Sequence, residues 1–181
     1  GHATSCIDLI ESTKKFKIIG VVSNKKFKTV DTYPVIGNDK ELLNLKKITK
    51  NIVIGISFYK DIKTRTKIFS RLKKLGFNIP TICSPLSYIS KNVKIGEGSQ
   101  IFHRVVINKN VVIENNCIVN NQSLIEHDFK IKNNTQISTN VTINGRCTIG
   151  QSVFIGSGSV LRENLKIKNN SFIKMGSILK K

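Results

Sequence analysis

Acidic residues, histidines and cysteines are all scarce in this 181-residue sequence: eleven Asp and Glu against thirty Lys and Arg, three His and four Cys. Cys6, Cys83, Cys117 and Cys147 are widely scattered and form no CxxC pair. That spacing argues against a disulfide framework or thiolate zinc site and for reduced thiols, as in a cytosolic protein. His2, His103 and His127 offer no pair at ligand spacing, so no metal site is expected. The longest apolar run, Asn51–Phe58, is far short of the roughly 20 residues that a membrane helix needs. No charged-then-apolar leader opens the sequence, which predicts no signal peptide.

The net charge is +19, yet it is spread evenly. Residues 1–84 carry 17 basic and 6 acidic side chains, and residues 85–181 carry 13 and 5. No basic tail or focused patch stands out, so a Lys-rich solvated surface is expected rather than nucleic-acid binding, and part of the charge would attract small anionic substrates. With 39% hydrophobic and 23% charged residues the chain is globular, long enough for one sizeable domain or two modest ones.

A six-residue repeat runs through the second half. From Ile89 to Leu179, all sixteen positions at this step are aliphatic, without slip or insertion. Two residues before each lies a second series of mostly small or β-branched residues, Ser99, Val105, Val111, Cys117 and Ser123 among them. Period six suits neither a 3.6-residue helix nor an alternating hairpin sheet. It predicts a β-helix with about 18 residues per coil, the aliphatics stacked in an internal column. Gly or Asn often follows the aliphatic, as at Gly96, Asn108, Asn120, Asn144, Gly150 and Gly156, and these residues are expected to take a left-handed backbone at each corner.

The first 84 residues read as alternating α/β. The pattern predicts a helix over 5–15, a strand over 16–22 and a turn at Pro34-Val35-Ile36-Gly37 before a short helix over 41–47. A strand over 52–56, an amphipathic helix over 61–75 closed by Gly76, and a strand over 78–83 follow. Strands alternating with helices imply a parallel sheet. Gly1-His2-Ala3 reads either as a tag remnant or as the tail of a Gly-rich loop whose strand precedes it.

The hexapeptide pattern resembles the left-handed β-helix acyltransferases. The series Gly1-His2-Ala3, Ile7-Asp8-Leu9-Ile10, Pro34-Val35-Ile36-Gly37, Gly55 and the Arg65 helix narrows that resemblance to bacterial nucleotide-sugar acetyltransferases. These include UDP-4-amino-sugar and GDP-perosamine N-acetyltransferases and sialic acid O-acetyltransferase relatives. The resemblance implies a Rossmann-like nucleotide-sugar domain over 1–84, a left-handed parallel β-helix over 85–181, acetyl-CoA as co-substrate without a metal, a homotrimer with coenzyme A clefts between subunits, and a cytoplasmic role in surface glycan biosynthesis. Relatives usually continue past a segment like Gly176–Lys181 into a closing Gly-x-Pro-Ala segment near the cofactor, whose absence leaves truncation of the chain an open question.

The same resemblance assigns His127 as general base and Asp128 as its carboxylate partner, with Asn120 and Glu126 near the sugar. Independently, residues 18 apart share one edge of the prism, giving Lys91, Lys109, His127, Gly145, Glu163 and Lys181. Gly145 beside His127 would leave space for a pantetheine arm and bare backbone N–H groups. By register with the family, Gly156, Ser157, Met175 and Gly176 are further coenzyme A contacts, and His2 and Gly55 are nucleotide contacts. Where relatives carry an acidic pair, this chain has Ser23-Asn24, still able to accept a ribose or base hydrogen bond. His103 lacks a following acid and is expected to be structural; Cys117 and Cys147 are expected to be buried and inert. N-acetyl transfer to a 4-amino sugar leads, with O-acetyl transfer, a non-catalytic trimeric scaffold and polyanion binding as alternatives.

Overall fold

Each aliphatic of the six-residue series is the second residue of a two-residue strand in a computed structural model that describes residues 1–58 and 62–180. They run from Tyr88–Ile89 to β20 (Ile178–Leu179), and one strand of the same kind, β4 (Ile82–Cys83), precedes them. They stack in three parallel sheets of six, six and five strands, each residue paired with the one 18 later, as in Ile118↔Gln136 and Ile125↔Ile143. The result is the expected left-handed parallel β-helix. Both inward series form one continuous core: Ile107, Val111, Cys117, Ile125, Phe129, Ile137 and Val141 are within it, each at most 1% exposed. Burying each such side chain stabilises the coil by about 1.5–3 kcal/mol, repeated every six residues.

The corners differ from expectation in which residue turns left-handed. Positive φ falls three residues after the aliphatic, at Arg104, Asn110, Asn116, Gln122, Asp128, Asn134 and onward, not one residue after it. The Gly position directly after the aliphatic has another cause. A Cβ on Gly96 or Gly150 would lie 2.5–2.6 Å from the asparagine of the next coil, and on Gly156 it would strike the Met175 backbone. Close coil-to-coil approach, rather than backbone conformation, selects glycine there.

The N-terminal part contains α1 (His2–Thr13), β1 (Val21–Val22), β2 (Thr29–Val30), β3 (Tyr33–Gly37), α2 (Leu42–Leu45) and α3 (Ile62–Lys74). Asp61, placed in the third helix by its pattern, lies outside the described residues. The three-stranded sheet has the order β1-β3-β2 and is mixed: β1 and β3 are parallel, β2 and β3 antiparallel. Pro34 therefore sits in a strand and not in a turn. The β-forming neighbours Tyr33, Val35 and Ile36 prevail, and the bond on this side is donated by Val35 to Lys28, where no proline N–H is needed. Only Val21–Val22 of the 16–22 segment pairs as a strand.

The expected strand over 52–56 does not form. Its carbonyls are taken by side chains: Ile54 O accepts from Arg65 at 2.8 Å and Gln100 at 3.0 Å, and Ile56 O accepts from Arg65 at 2.7 Å. Asn51 and Asn78 form an isolated parallel bridge, and past Pro80 the chain enters the first coil at β4. One outer face of the β-helix carries the N-terminal part. There Cys6, Leu9, Ile10 and Phe58 pack against Ile82, Phe102, Ile118 and Phe154. Arg65 spans this seam fully buried, donating also to Asn116 Oδ1 at 2.9 Å and Gly98 O at 3.2 Å. Among the described residues no helix is long and apolar enough to cross a membrane.

Candidate active site

The corner after the strand Leu124–Ile125 is pinned on both sides by inward side chains, Ile125 before it and Phe129 after it. Glu126, His127 and Asp128 between them project outward, with Asp128 turning the chain at φ 55°. His127 Nδ1 lies 2.8 Å from Asp128 Oδ2. A carboxylate accepts only, so Nδ1 carries the proton of the neutral ring and Nε2 presents a lone pair. Both side chains are about half exposed.

The neighbouring coils complete this corner. Asn110 Nδ2 donates to Asp128 Oδ1 at 2.9 Å, and Asn108 Nδ2 donates to Glu126 Oε2 at 2.9 Å. The Asn110 amide first, and the His127 ring second, hold the Asp128 carboxyl below the usual carboxylate range. On the other side lies Gly145, buried, where an added Cβ would stand 3.0 Å from both Cε1 and Nε2 of His127. The space that Gly145 leaves is thus taken by the imidazole. Elsewhere along the edges the asparagine at this position accepts the N–H of the preceding coil: Glu97 to Asn115, His103 to Asn121 and Gln151 to Asn169. Gly145 has no side chain to offer the N–H of His127 in this way.

The remaining predicted residues are divided among three places. Gly156, Ser157, Met175 and Gly176 lie on a different edge, with Asn120 and Asn121, one corner before that of His127. Met175 is 78% exposed there. The two edges flank one sheet, whose outward row reads Tyr88, Val106, Leu124, Thr142, Val160 and Ile178. Tyr88, Val160 and Ile178 are exposed. Lys181, at the end of the His127 edge, lies outside the described residues.

His2 and Gly55 have packing partners at the seam. The His2 ring tilts against Phe102, its Nε2 lies 3.2 Å from Gln100 Oε1, and burial first and the Arg65 charge second push its pKa down to about 4. Gly55 approaches Ala3 so closely that a Cβ would lie 3.2 Å from it. Ser23 and Asn24 follow β1 and meet Asn38 and Lys40, which follow β3, in a groove also lined by Lys25, Lys26 and Arg71. Ser23 Oγ accepts the Lys25 N–H and Asn24 Oδ1 the Asp39 N–H, which ties the two loops together.

Three partnerships escape sequence reasoning. His103 does have an acid, supplied by α1: Nε2 is 2.8 Å from Asp8 Oδ2 and Nδ1 is 2.7 Å from Ser84 Oγ. With Ser84 buried and bonded also to the Leu86 N–H, this chain of groups braces α1 against the first coil. Arg65 is the second. The third is the Asn108 and Asn110 support of the His127 corner, for which the signal is the same 18-residue step taken from Glu126 and Asp128 on either side of His127. Cys117 and Cys147 are buried, as expected, and burial raises both thiols, Cys117 to about 12.

Comparison with known proteins follows the two parts of the chain. Residues 83–181 match the family model of the GMPPB C-terminal domain, and residues 1–72 that of the PglD N-terminal domain. No curated protein matches the sequence. Among solved structures, a histidine-to-asparagine variant of perosamine N-acetyltransferase from Caulobacter crescentus, in complex with CoA and GDP-perosamine, is 21% identical. The match covers 100% of this chain and 85% of that one, with a TM-score of 0.94. The acetyltransferase domain of PglB from Neisseria gonorrhoeae is 22% identical over 99% of this chain and 87% of that one, TM-score 0.91. The same domain in complex with acetyl coenzyme A is 22% identical over 99% and 88%, TM-score 0.89. At such identities the likeness is one of fold.

Proposed function

The chain belongs to the GMPPB C-terminal domain family, and its N-terminal part matches the PglD N-terminal domain; from these we propose that it is a nucleotide-sugar acetyltransferase of the hexapeptide-repeat type, transferring the acetyl group of acetyl-CoA to a nucleotide-linked 4-amino sugar. The observation that carries this reading is the His127 corner: Nδ1 anchored on Asp128 at 2.8 Å, the imidazole half exposed, and Nε2 beside a glycine. Complexes of solved relatives with CoA, acetyl coenzyme A and GDP-perosamine support the choice of substrates.

In the proposed reaction the neutral sugar amine attacks the thioester carbonyl carbon, forming the C–N bond. His127 Nε2 takes the proton that the nitrogen loses. Asp128 stabilises the resulting imidazolium, as carboxylate partners of histidine do. The Gly145 backbone N–H is assigned to the developing oxyanion, since those of Asn144 and Arg146 are donated to Leu161 O and His127 O. The C–S bond then breaks, and the leaving thiolate recovers the proton from His127. Amide and CoA thiol are the only products, so the step balances without an oxidant.

The nucleotide sugar is assigned to residues 1–84, with Ser23 and Asn24 in the groove beyond β1 and β3, where ligands of parallel sheets bind. Acyl transfer is assigned to residues 85–181. Gly145 shares the His127 edge, whereas Gly156, Ser157, Met175 and Gly176 lie on the edge one corner before it. A homotrimer would unite the set by seating one subunit's edge against its neighbour's, covering the row of Tyr88, Val160 and Ile178. Such an enzyme would work in the cytoplasm, where both substrates are made, and would serve surface glycan synthesis.

The test is thiol release from acetyl-CoA with UDP-, dTDP- and GDP-linked 4-amino sugars. His127→Ala should lower turnover by about two to four orders of magnitude. Release with a hydroxyl acceptor alone would establish an O-acetyltransferase of the sialic acid type. Near-normal turnover in His127→Ala would reject the base.

A further inference from the structure

We propose that Asn110 is a positioning residue for the His127–Asp128 pair, aiming the Asp128 carboxylate so that it holds the imidazole; this rests on the reading of His127 as the base. Asn110 stands 18 residues before Asp128, on the adjacent coil, and donates its amide to Oδ1 at 2.9 Å while Oδ2 faces His127 Nδ1 at 2.8 Å. The Asp128 backbone N–H is separately held by Lys109 O at 3.0 Å. Main chain and carboxylate of Asp128 are therefore both anchored to the coil that precedes His127. With one oxygen anchored, rotation of the carboxylate about its Cβ–Cγ bond is suppressed, and the second oxygen stays in reach of the ring.

Amide ladders between left-handed corners are a general device of this fold: Asn116 Nδ2 donates to Asn134 Oδ1 at 2.8 Å, and Arg146 Nε donates to Asn164 Oδ1 at 3.0 Å. Only at Asn110, among these, is the acceptor a carboxylate that grips a histidine. The other charged groups around Asp128 leave this task to Asn110. Arg146, on the following coil, adds its positive charge to Asp128 but spends Nε on Asn164. Arg162 and Glu163 pair with each other at 2.9 Å, and Glu126 is bonded to Asn108.

The left-handed backbone of Asn110, φ 60°, supplies a clean perturbation. Asn110→Gly removes the amide at a position whose conformation glycine adopts freely, so folding is preserved. Asn110→Asp keeps the shape but replaces the donor with a second carboxylate. Asn170→Gly, at the equivalent corner position of another edge with φ 60°, is the control.

Two readouts separate this proposal from the reading beneath it. The first is an NMR titration of the three imidazoles in the full chain without substrate, His127 being assigned from His127→Ala. The His127 midpoint should move to lower pH in Asn110→Gly and to higher pH in Asn110→Asp, and stay in place in Asn170→Gly. The second is the pH profile of kcat/KM. Its acidic limb should move in the same opposite directions, with kcat down about three- to tenfold in Asn110→Gly, the worth of a charge-assisted hydrogen bond at an exposed site, and KM unchanged. An unmoved His127 midpoint in both Asn110 variants overturns the proposal even if His127→Ala is inactive, and so does a moved midpoint with unaltered kcat. A moved midpoint together with full turnover in His127→Ala overturns the general base and leaves the Asn110 coupling standing.

Discussion

Replacing Gly145 by alanine puts a methyl group where the His127 imidazole lies. The new Cβ would stand 3.0 Å from both Cε1 and Nε2. An ordinary carbon contact is about 3.5 Å, so the ring must retreat by roughly 0.5 Å. The ring is half exposed and can give way, and Gly145 itself carries no left-handed strain, so stability should change by less than about 0.5 kcal/mol. Catalysis is less forgiving. Retreat lengthens or bends the 2.8 Å bond to Asp128 and displaces Nε2 from the reacting amine. Misplacement by 1 Å costs about a hundredfold, so half that should lower kcat/KM about tenfold. Thiol release gives the rate, calorimetric titration the affinity for acetyl-CoA, and circular dichroism the melting temperature. A kcat/KM within twofold of the parent at unchanged melting temperature would refute the idea that Gly145 makes room for the ring.

Arg65→Met strips donors from Ile54 O, Ile56 O, Gly98 O and Asn116 Oδ1 at a buried seam, and should cost about 3–5 kcal/mol, or roughly 10 °C in melting temperature; a loss below about 1 kcal/mol by denaturant titration would show that the seam repacks. His2 is held neutral when folded, at about 4, against 6.5 when free, so between these values the unfolded chain binds the extra proton. Stability should accordingly be undiminished above pH 6.5 and fall by up to about 3 kcal/mol toward pH 4. His2→Phe should flatten that part of the curve, and parallel urea midpoints from pH 7 to 5 in variant and parent would contradict the assignment. Gly156→Ala drives a Cβ into the Met175 backbone and should cost more than about 2 kcal/mol, whereas Gly158→Ala meets open space and carries only the strain of φ +69°, about 1 kcal/mol. The reverse order in urea melts would mean that coil spacing is softer than the contacts imply.

How much was legible in the sequence follows the range of the forces. The solenoid could be read because each hexapeptide repeats the same local demand: a residue at one phase points inward and must be aliphatic, as Ile107, Ile125 and Ile143 are. The spacing of 18 then aligns His127 with Gly145 without any knowledge of the rest of the chain. The role of the corner glycines was misread because it is not local: Gly96, Gly150 and Gly156 are small on account of the next coil. In the N-terminal part the departures have two causes. Residues 52–56 have the composition of a strand, but their carbonyls bond to the side chains of Arg65 and Gln100, whereas Pro34 is carried into a strand by its β-forming neighbours.

The sequence by itself determined the β-helix, its core and the corner on which His127, Asp128 and Gly145 meet, because a strict period converts sequence distance into spatial distance. Only the tertiary structure decided what surrounds that corner and what joins the two parts. The aim of the Asp128 carboxylate by Asn110, the filling of the Gly145 space by the imidazole, the brace of His103 on Asp8 and the burial of Arg65 all depend on side-chain directions and on one unrepeated seam. The period brings Asn110 beside Asp128 and Gly145 beside His127 but leaves the direction of each side chain to distances of a few tenths of an ångström, and the groups of the seam have no periodic relation at all.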